Sequence, residues 1–208
     1  MLIPYSNVCA FCKQNNIEIT GIFHVGAHEC EELEDYKNNG IEEQNIVWIE
    51  GNKEIYDRMK GRGIKNLINE VVDEISGREV TFNITNNGQS SSILELGTHE
   101  RHHPHVTVTR TEKHITKTIK DIATDYSLDF SKYNFWNLDI QGAELRALKG
   151  AGDVINHAQV LYLEVNTEHL YKDCALIGEI DEYLSQYGFK RIAVQMTQYC
   201  WGDAIYVK

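Results

Sequence analysis

Proline is scarce in this chain: Pro4 and Pro104 are the only two in 208 residues, and no low-complexity linker or internal repeat interrupts the sequence. That scarcity argues against a string of modules. The expectation is one domain over residues 1–208, with 1–19 as an N-terminal helical extension, long enough to bury a substantial core. Long apolar runs are missing as well, and no charged-then-apolar leader opens the chain, so a soluble, intracellular protein without membrane insertion is expected. Basic residues are in deficit: 20 Lys and Arg stand against 31 Asp and Glu, a formal charge of −11. With no local basic patch, such a chain repels a phosphate backbone, which excludes nucleic acid as an expected partner. The five cysteines, at 9, 12, 30, 174 and 200, are an odd, scattered set that reads as reduced thiols. Cys9 and Cys12 have zinc-ligand spacing, but no second such pair or nearby histidine pair completes a tetrahedral set; two half-buried thiols on a helix are the simpler reading.

What is present is an alternation of strand-like and helix-like segments. GIFHV, NIVWIE, LINEVV, FWNLDI and VLYLEVN read as buried strands. Helices are predicted over Glu29–Asn38 with Glu29, Glu31 and Glu32 in its first turn, and over about Lys53–Lys60 with Asn52 as cap. GAELRALKGAG gives a third, ended by Gly150, and an apolar stripe from Leu176 to Tyr187 gives another. EVTFNIT and VTVTRT alternate as strands; between them NNGQSSSILELGTHERHHPH has no clear period and is long enough to suggest a functional loop. RIAVQMT and DAIYVK suggest a terminal hairpin. The fold class predicted is α/β, a Rossmann-like, doubly wound, mostly parallel sheet with a C-terminal antiparallel hairpin.

In such sheets a ligand binds beyond the carboxyl ends of the strands. Gly26 and Ala27 after the first strand let a ligand approach the backbone, with His24 and His28 beside them. Glu50, ending the second strand, can accept hydrogen bonds from both hydroxyls of a ribose, and Asp73, ending the third, from an adenine amino group. A diphosphate needs a G-x-G-x-x-G turn with free amides. Gly26-Ala27-His28-Glu29-Cys30 lacks the later glycines and adds acids, which suits the cationic S-adenosylmethionine better.

At these residues the sequence resembles the FkbM family of methyltransferases. FHVGAH is similar to the family's D-x-G-A-N-x-G loop, WIEGNKEIY to its second motif and NNGQSSSIL to its Ser-rich middle segment. LDIQGAELRALKGA is similar to its I-D-x-Q-G-x-E-x-x-x-L-x-G-A block, and LYLEVN and the GDAIYVK ending agree. His24 stands where the family has Asp and Cys30 where it has Gly. The resemblance implies S-adenosylmethionine-dependent O-methylation of a hydroxyl on a sugar, glycan or related small molecule, within a class I methyltransferase fold.

Methylating an alcohol calls for a base or a divalent metal, since alcohols are weak nucleophiles. Asp139, Glu164 and Asn166, on neighbouring strand ends, offer three oxygens that would suit Mg²⁺ or Mn²⁺; alternatively Asp139 fixes the Gln141-Gly142 turn and Glu164 pairs with a basic side chain. Asp139, His102 and His103 are the candidate bases, with a plain solvated loop as the alternative for the histidines. Glu144 fits a helix cap or a substrate contact, and Ser91, with Ser90 and Ser92, the donor pocket or a simple turn. The competing functions are a nucleotide-dependent oxidoreductase and a non-catalytic glycan-binding domain on the same fold.

Overall fold

A computed structural model describes all residues, 1–208. In chain order it comprises α1 (Tyr5–Gln14), β1 (Ile22–Val25), α2 (Leu33–Asn38), β2 (Ile46–Ile49), α3 (Lys53–Gly61), β3 (Leu67–Ile68), β4 (Val71–Val72) and β5 (Glu79–Thr85). These are followed by α4 (His99–His102), β6 (Val108–Lys117), α5 (Ile119–Asp125), β7 (Phe135–Leu138), α6 (Glu144–Ala151), β8 (Val160–Asn166), α7 (Ile177–Ser185), β9 (Lys190–Met196) and β10 (Trp201–Val207).

The main sheet has the order β3-β2-β1-β7-β8-β10-β9. β3, β2, β1, β7 and β8 are parallel, and β10 runs antiparallel to both β8 and β9. Every residue of β1, β2, β7 and β8 is buried, as a parallel sheet covered on both faces requires. Alternation sorts their side chains into two cores: Phe23, Val47, Trp136 and Leu161 pack on one face, and Ile22, Trp48, Phe135 and Tyr162 on the other. The predicted α/β fold, mostly parallel with a terminal hairpin, is therefore the observed one. Strand order reverses between β1 and β7, and that crevice is the expected ligand position.

Asn52 caps α3 as predicted, accepting from the amides of Glu54 and Ile55. Three local expectations are corrected. LINEVV is not one strand: Asn69 donates its side-chain amide to the carbonyls of Glu50 and Gly51, at 2.7 and 3.2 Å, and turns the chain. β3 stays in the main sheet, while β4 joins β6 and β5 in a second, three-stranded sheet. The second helix begins at Leu33 rather than Glu29, because His28 and Cys30 occupy left-handed backbone at φ 43° and 55° and break any earlier turn. Cys30 pays for that conformation by burial, 4% exposed among the residues of the Trp48 core.

Gly150 does not end its helix either. α6 continues to Ala151, and Gly150 is the point where the helix meets the chain after β4; a Cβ there would lie 2.4 Å from the Asp73 carbonyl oxygen. Gly150→Ala should therefore lower stability by about 1–3 kcal/mol through overpacking, although alanine is the better helix former. Equilibrium denaturation checks this, and a more stable variant would show that the helix and the Asp73 backbone are not in contact.

Candidate active site

β1 and β7 lie so close at their carboxyl ends that a Cβ on Gly26 (φ +87°) would fall 1.8 Å from the Asp139 carbonyl oxygen. The turn that follows is closed by its own hydrogen bonds. The amides of Gly26 and Ala27 donate to the Ile49 carbonyl at 2.9 and 3.0 Å, and that of His28 to Glu50 Oε2 at 2.7 Å. No amide from 26 to 28 is left to bind a diphosphate, so the chemistry of a dinucleotide loop is missing. Glu50 is 6% exposed, and its second oxygen accepts from the Asn52 amide at 2.6 Å. Burial raises its carboxyl, and the amides of Asn52 and His28 offset part of that rise. Each oxygen keeps a lone pair for a ligand hydroxyl.

Beside Glu50 runs a narrow slot whose walls include Ile49, Val71, Phe82 and Ile93, with Ser91 on its rim. The Ser91 hydroxyl accepts from the Thr85 amide at 3.1 Å, fixing the Ser-rich loop against β5. Asp73 does not reach this slot, and the expectation that it meets an adenine is corrected. It is fully buried and held by Arg146, at 2.9 Å, and by Arg78. Both oxygens are committed to guanidinium groups, so its role is to tie the β4 exit to α6.

The slot opens into a cleft of about 440 Å³ that shares Gly26, His28, Asp139 and Gln141 with it. His24, Ala27, Glu164 and His103 line the cleft too. His24 is buried, bonded to the Tyr36 hydroxyl at 3.1 Å, and burial lowers its imidazole to about 3, leaving it neutral. His28 contacts Glu31 at 2.7 Å; burial pulls its imidazole down, but Glu31 outweighs that and raises it overall. Of the three glutamates expected at a helix start, Glu29 turns away to Arg58 and Arg62, whereas Glu31 and Glu32 face the cleft. Asp203, 5% exposed, completes the wall: β10 places it in register with Glu164. The lining holds five carboxylate side chains (Glu31, Glu32, Asp139, Glu164 and Asp203) and no Lys or Arg.

Asp139 and Glu164 are brought together by an amide rather than by a set of metal ligands. Gln141 Nε2 donates to Asp139 Oδ1 and to Glu164 Oε2, both at 2.6 Å, and Gln141 Oε1 accepts from the Tyr171 hydroxyl at 2.5 Å. Asn166 is fully buried and does not line the cleft. The expected Mg²⁺ or Mn²⁺ set of Asp139, Glu164 and Asn166 is thus not assembled, because a neutral NH₂ group takes the position between the two acids. Burial, and then the charge of Asp139, raises the Glu164 carboxyl well above the usual range.

The histidine run divides. His103 lines the cleft, its ring 4.7 Å from that of Tyr199, and burial followed by the neighbouring His105 and His102 lowers its imidazole. His102 turns outward to Glu168 at 3.2 Å and is not part of the cleft. Tyr171 and Asp203 are cleft residues that sequence reasoning did not single out. Only the pairing of β8 with β10 and the docking of α4 onto residues 169–170 bring them there.

A family model for the methyltransferase FkbM domain matches residues 24–191. The chain belongs to the FkbM methyltransferase family. Among solved structures it is similar to methyltransferase FkbM from Methylobacillus flagellatus KT, with a TM-score of 0.59 and 15% identity over 91% of this chain. The chain spans 44% of that protein's length. It is also similar to an S-adenosylmethionine-dependent methyltransferase from Clostridium acetobutylicum ATCC 824, with a TM-score of 0.50 and 8% identity, covering 97% of this chain and 89% of the other. Comparison with curated proteins found no match. At these identities the solved structures show the class I methyltransferase fold. The family implies S-adenosylmethionine, and the residues fit it: a turn with no free diphosphate-binding amides, a buried acceptor at Glu50, an apolar slot and an acidic cleft beyond.

The buried acids make stability depend on pH. Glu32 and Glu144 are raised by burial to about 7, and Glu164 is raised well above the usual carboxylate range. A carboxyl whose folded value exceeds the unfolded ~4.3 stabilises at low pH and loses that contribution as pH rises through the folded value. His24, at about 3, and His99, lowered by burial to about 4, act oppositely. Their contribution is lost as pH falls through the unfolded ~6.5. Between pH 8.5 and 6.5 the carboxyl gain exceeds the histidine loss, which is only half developed at the lower limit. Tm should therefore rise by roughly 2–4 °C on acidification, the shift that about 1 kcal/mol produces. Glu164→Gln should raise Tm at pH 8.5 and shrink the difference. A flat profile in the unaltered protein would mean these acids are solvated.

Proposed function

We propose that this protein is an S-adenosylmethionine-dependent O-methyltransferase whose acceptor is a hydroxyl of a sugar, glycan or related small molecule. The observation that carries the proposal is the continuity of the Glu50 slot with an acidic cleft that also holds a neutral imidazole, His103. Glu50 would hold the ribose, Val71 and Phe82 would flank the adenine, and Gly26 with Ala27 would pass beneath the amino-acid portion. When bound, S-adenosylmethionine supplies an activated methyl group on a positive sulfur. Glu31, whose burial is outweighed by its hydrogen bond to His28 so that it stays below the usual carboxylate range, favours that cation electrostatically and disfavours an anionic acceptor. Glu32 and Glu164 are raised toward their neutral forms, and a neutral hydroxyl compound is the best match.

The chain's own contribution is placement and proton handling. Holding an alcohol near attack distance contributes several kcal/mol, and a positioned base adds ~10²–10⁴-fold. His103 is neutral at physiological pH because its imidazole is lowered, so it can take the hydroxyl proton at a ring nitrogen. Asp139, oriented by Gln141, is the second acceptor within the cleft. The Gln141–Glu164 bond keeps the cleft wall beside Asp139 fixed. An oxidoreductase is disfavoured by the closed amides of the Gly26 turn.

Isothermal titration with S-adenosylmethionine should show binding to one site, and Glu50→Ala should weaken it more than about tenfold, the cost of roughly 1.4 kcal/mol in lost ribose contacts. Mass spectrometry across a panel of saccharides should then detect methyl transfer that falls at least about a hundredfold in His103→Ala. A folded protein that binds no S-adenosylmethionine would overturn the proposal. Donor binding without transfer to any hydroxyl acceptor would instead favour a non-catalytic glycan-binding domain.

A further inference from the structure

Outside the cleft, at its rim, His102, Glu168 and Cys200 converge. One ligand atom from each lies within 4.8 Å of the others, and the structure holds no second such group of three His, Cys, Asp or Glu side chains. The three come from separate segments: His102 from α4, Glu168 from the chain leaving β8, and Cys200 from the turn between β9 and β10. We propose that they form a zinc-binding site.

The backbones that carry them are pinned together independently of any ion. The amides of Gly97 and Thr98, just before α4, donate to the carbonyls of Leu170 and His169 at 2.7 and 3.0 Å. The amide of Thr167, beside Glu168, donates to the carbonyl of Cys200 at 2.9 Å. Cys200 itself sits in left-handed backbone at φ 66°, a conformation a non-glycine residue adopts at a cost. The hairpin turn is fixed by Thr197, whose amide and hydroxyl both donate to the Trp201 carbonyl at 2.8 Å. Side chains that would otherwise be free to diverge are thus aimed at one point.

Their chemistry selects the metal. A thiolate, an imidazole and a carboxylate form a mixed sulfur, nitrogen and oxygen set that zinc takes readily, whereas Mg²⁺ and Ca²⁺ prefer oxygen alone. Zinc bonds of ~2.0–2.3 Å need a modest closure from the present separations, which side-chain rotation supplies. All three residues are partly exposed, leaving a fourth position to water. Glu168 Oε2 presently contacts His102 Nε2 and the Thr98 hydroxyl, both at 3.2 Å, and Arg101 at 3.7 Å. The Arg101 side chain is 72% exposed and can leave for solvent without a burial cost. Occupied, the site ties α4, with His99 and His103, to the turn that carries Trp201, all three of them cleft residues. It would brace the cleft wall and leave the floor at Asp139 untouched.

The test uses the reduced full chain, stripped with chelator and titrated with Zn²⁺ or Co²⁺. One zinc per chain is expected, with a raised Tm, and Co²⁺ should give a thiolate charge-transfer band. Cys200→Ser should abolish the band and weaken zinc by more than about tenfold, and His102→Gln should weaken it similarly. The Cys9→Ser, Cys12→Ser double variant should change neither, and Mg²⁺ should not raise Tm. The proposal fails if the folded, unaltered chain takes up no zinc. It fails equally if uptake survives Cys200→Ser, or if it is lost with Cys9 and Cys12.

Discussion

The close approach of β1 and β7 is the constraint from which the rest of the site follows. Only a residue without a side chain can stand at Gly26, because the Asp139 carbonyl occupies the volume a Cβ would fill. With those two strand ends in contact, the turn after β1 is forced across the end of β2, where its first two amides bond Ile49 and its third bonds Glu50. That geometry decides two questions at once. It spends the donors that a diphosphate would need, and it orients the Glu50 carboxylate toward the slot. The same contact brings Asp139 beside the mouth of the slot, so that slot and cleft share a boundary.

At that boundary the dominant problem is charge. The charge of Asp139 opposes the ionisation of Glu144, Glu164 and Asp203. Burial compounds the repulsion at Glu144, Glu164 and Asp203, which have little water to share, whereas Asp139 is exposed. Gln141 relieves it by placing one NH₂ between two carboxyls, and Glu144 accepts from the amides of Ile140 and Gly142 at 2.8 and 3.2 Å. Gln141 itself takes up left-handed backbone at φ 57° to make these bonds. A local backbone cost is thereby exchanged for electrostatic relief, and a site of this kind gains most when a cation enters it.

Much of this was legible beforehand because it is encoded locally. Four-residue apolar runs bounded by polar turns identified β1, β2 and β7, and Asn52 announced α3. The opening GAHE turn and the LDIQGAE block, with Glu50 between them, carried the family. What could not be read depended on pairing across the chain. LINEVV is uniformly apolar at its ends, and nothing local says that Asn69 will bond back to Glu50 and Gly51 and divide it between two sheets. Asp73 looked like a strand-end acid facing a ligand; Arg146, 73 residues away, claims it instead. His102 and His103 are adjacent, yet a short helix sends one outward to Glu168 and leaves the other in the cleft.

The same long-range pairing separates two kinds of polar cluster that composition alone would treat alike. Around Asp139 the ligand atoms are all oxygens, and a side-chain amide already satisfies the gap between the nearest two. Nothing there remains for a hard cation to do that Gln141 does not do at neutral charge. At the rim, sulfur and nitrogen join oxygen, and the charged competitor is an exposed arginine rather than a built-in amide. The amide bridge is half-buried and makes three hydrogen bonds, to Asp139, Glu164 and Tyr171, all of which a cation would have to displace together. An exposed guanidinium keeps its hydration when it moves, so the screened contact it gives up is worth little. The difference in what must be displaced, more than the difference in acidity, is what makes the rim the better place for a metal and the cleft floor the better place for an organic cation.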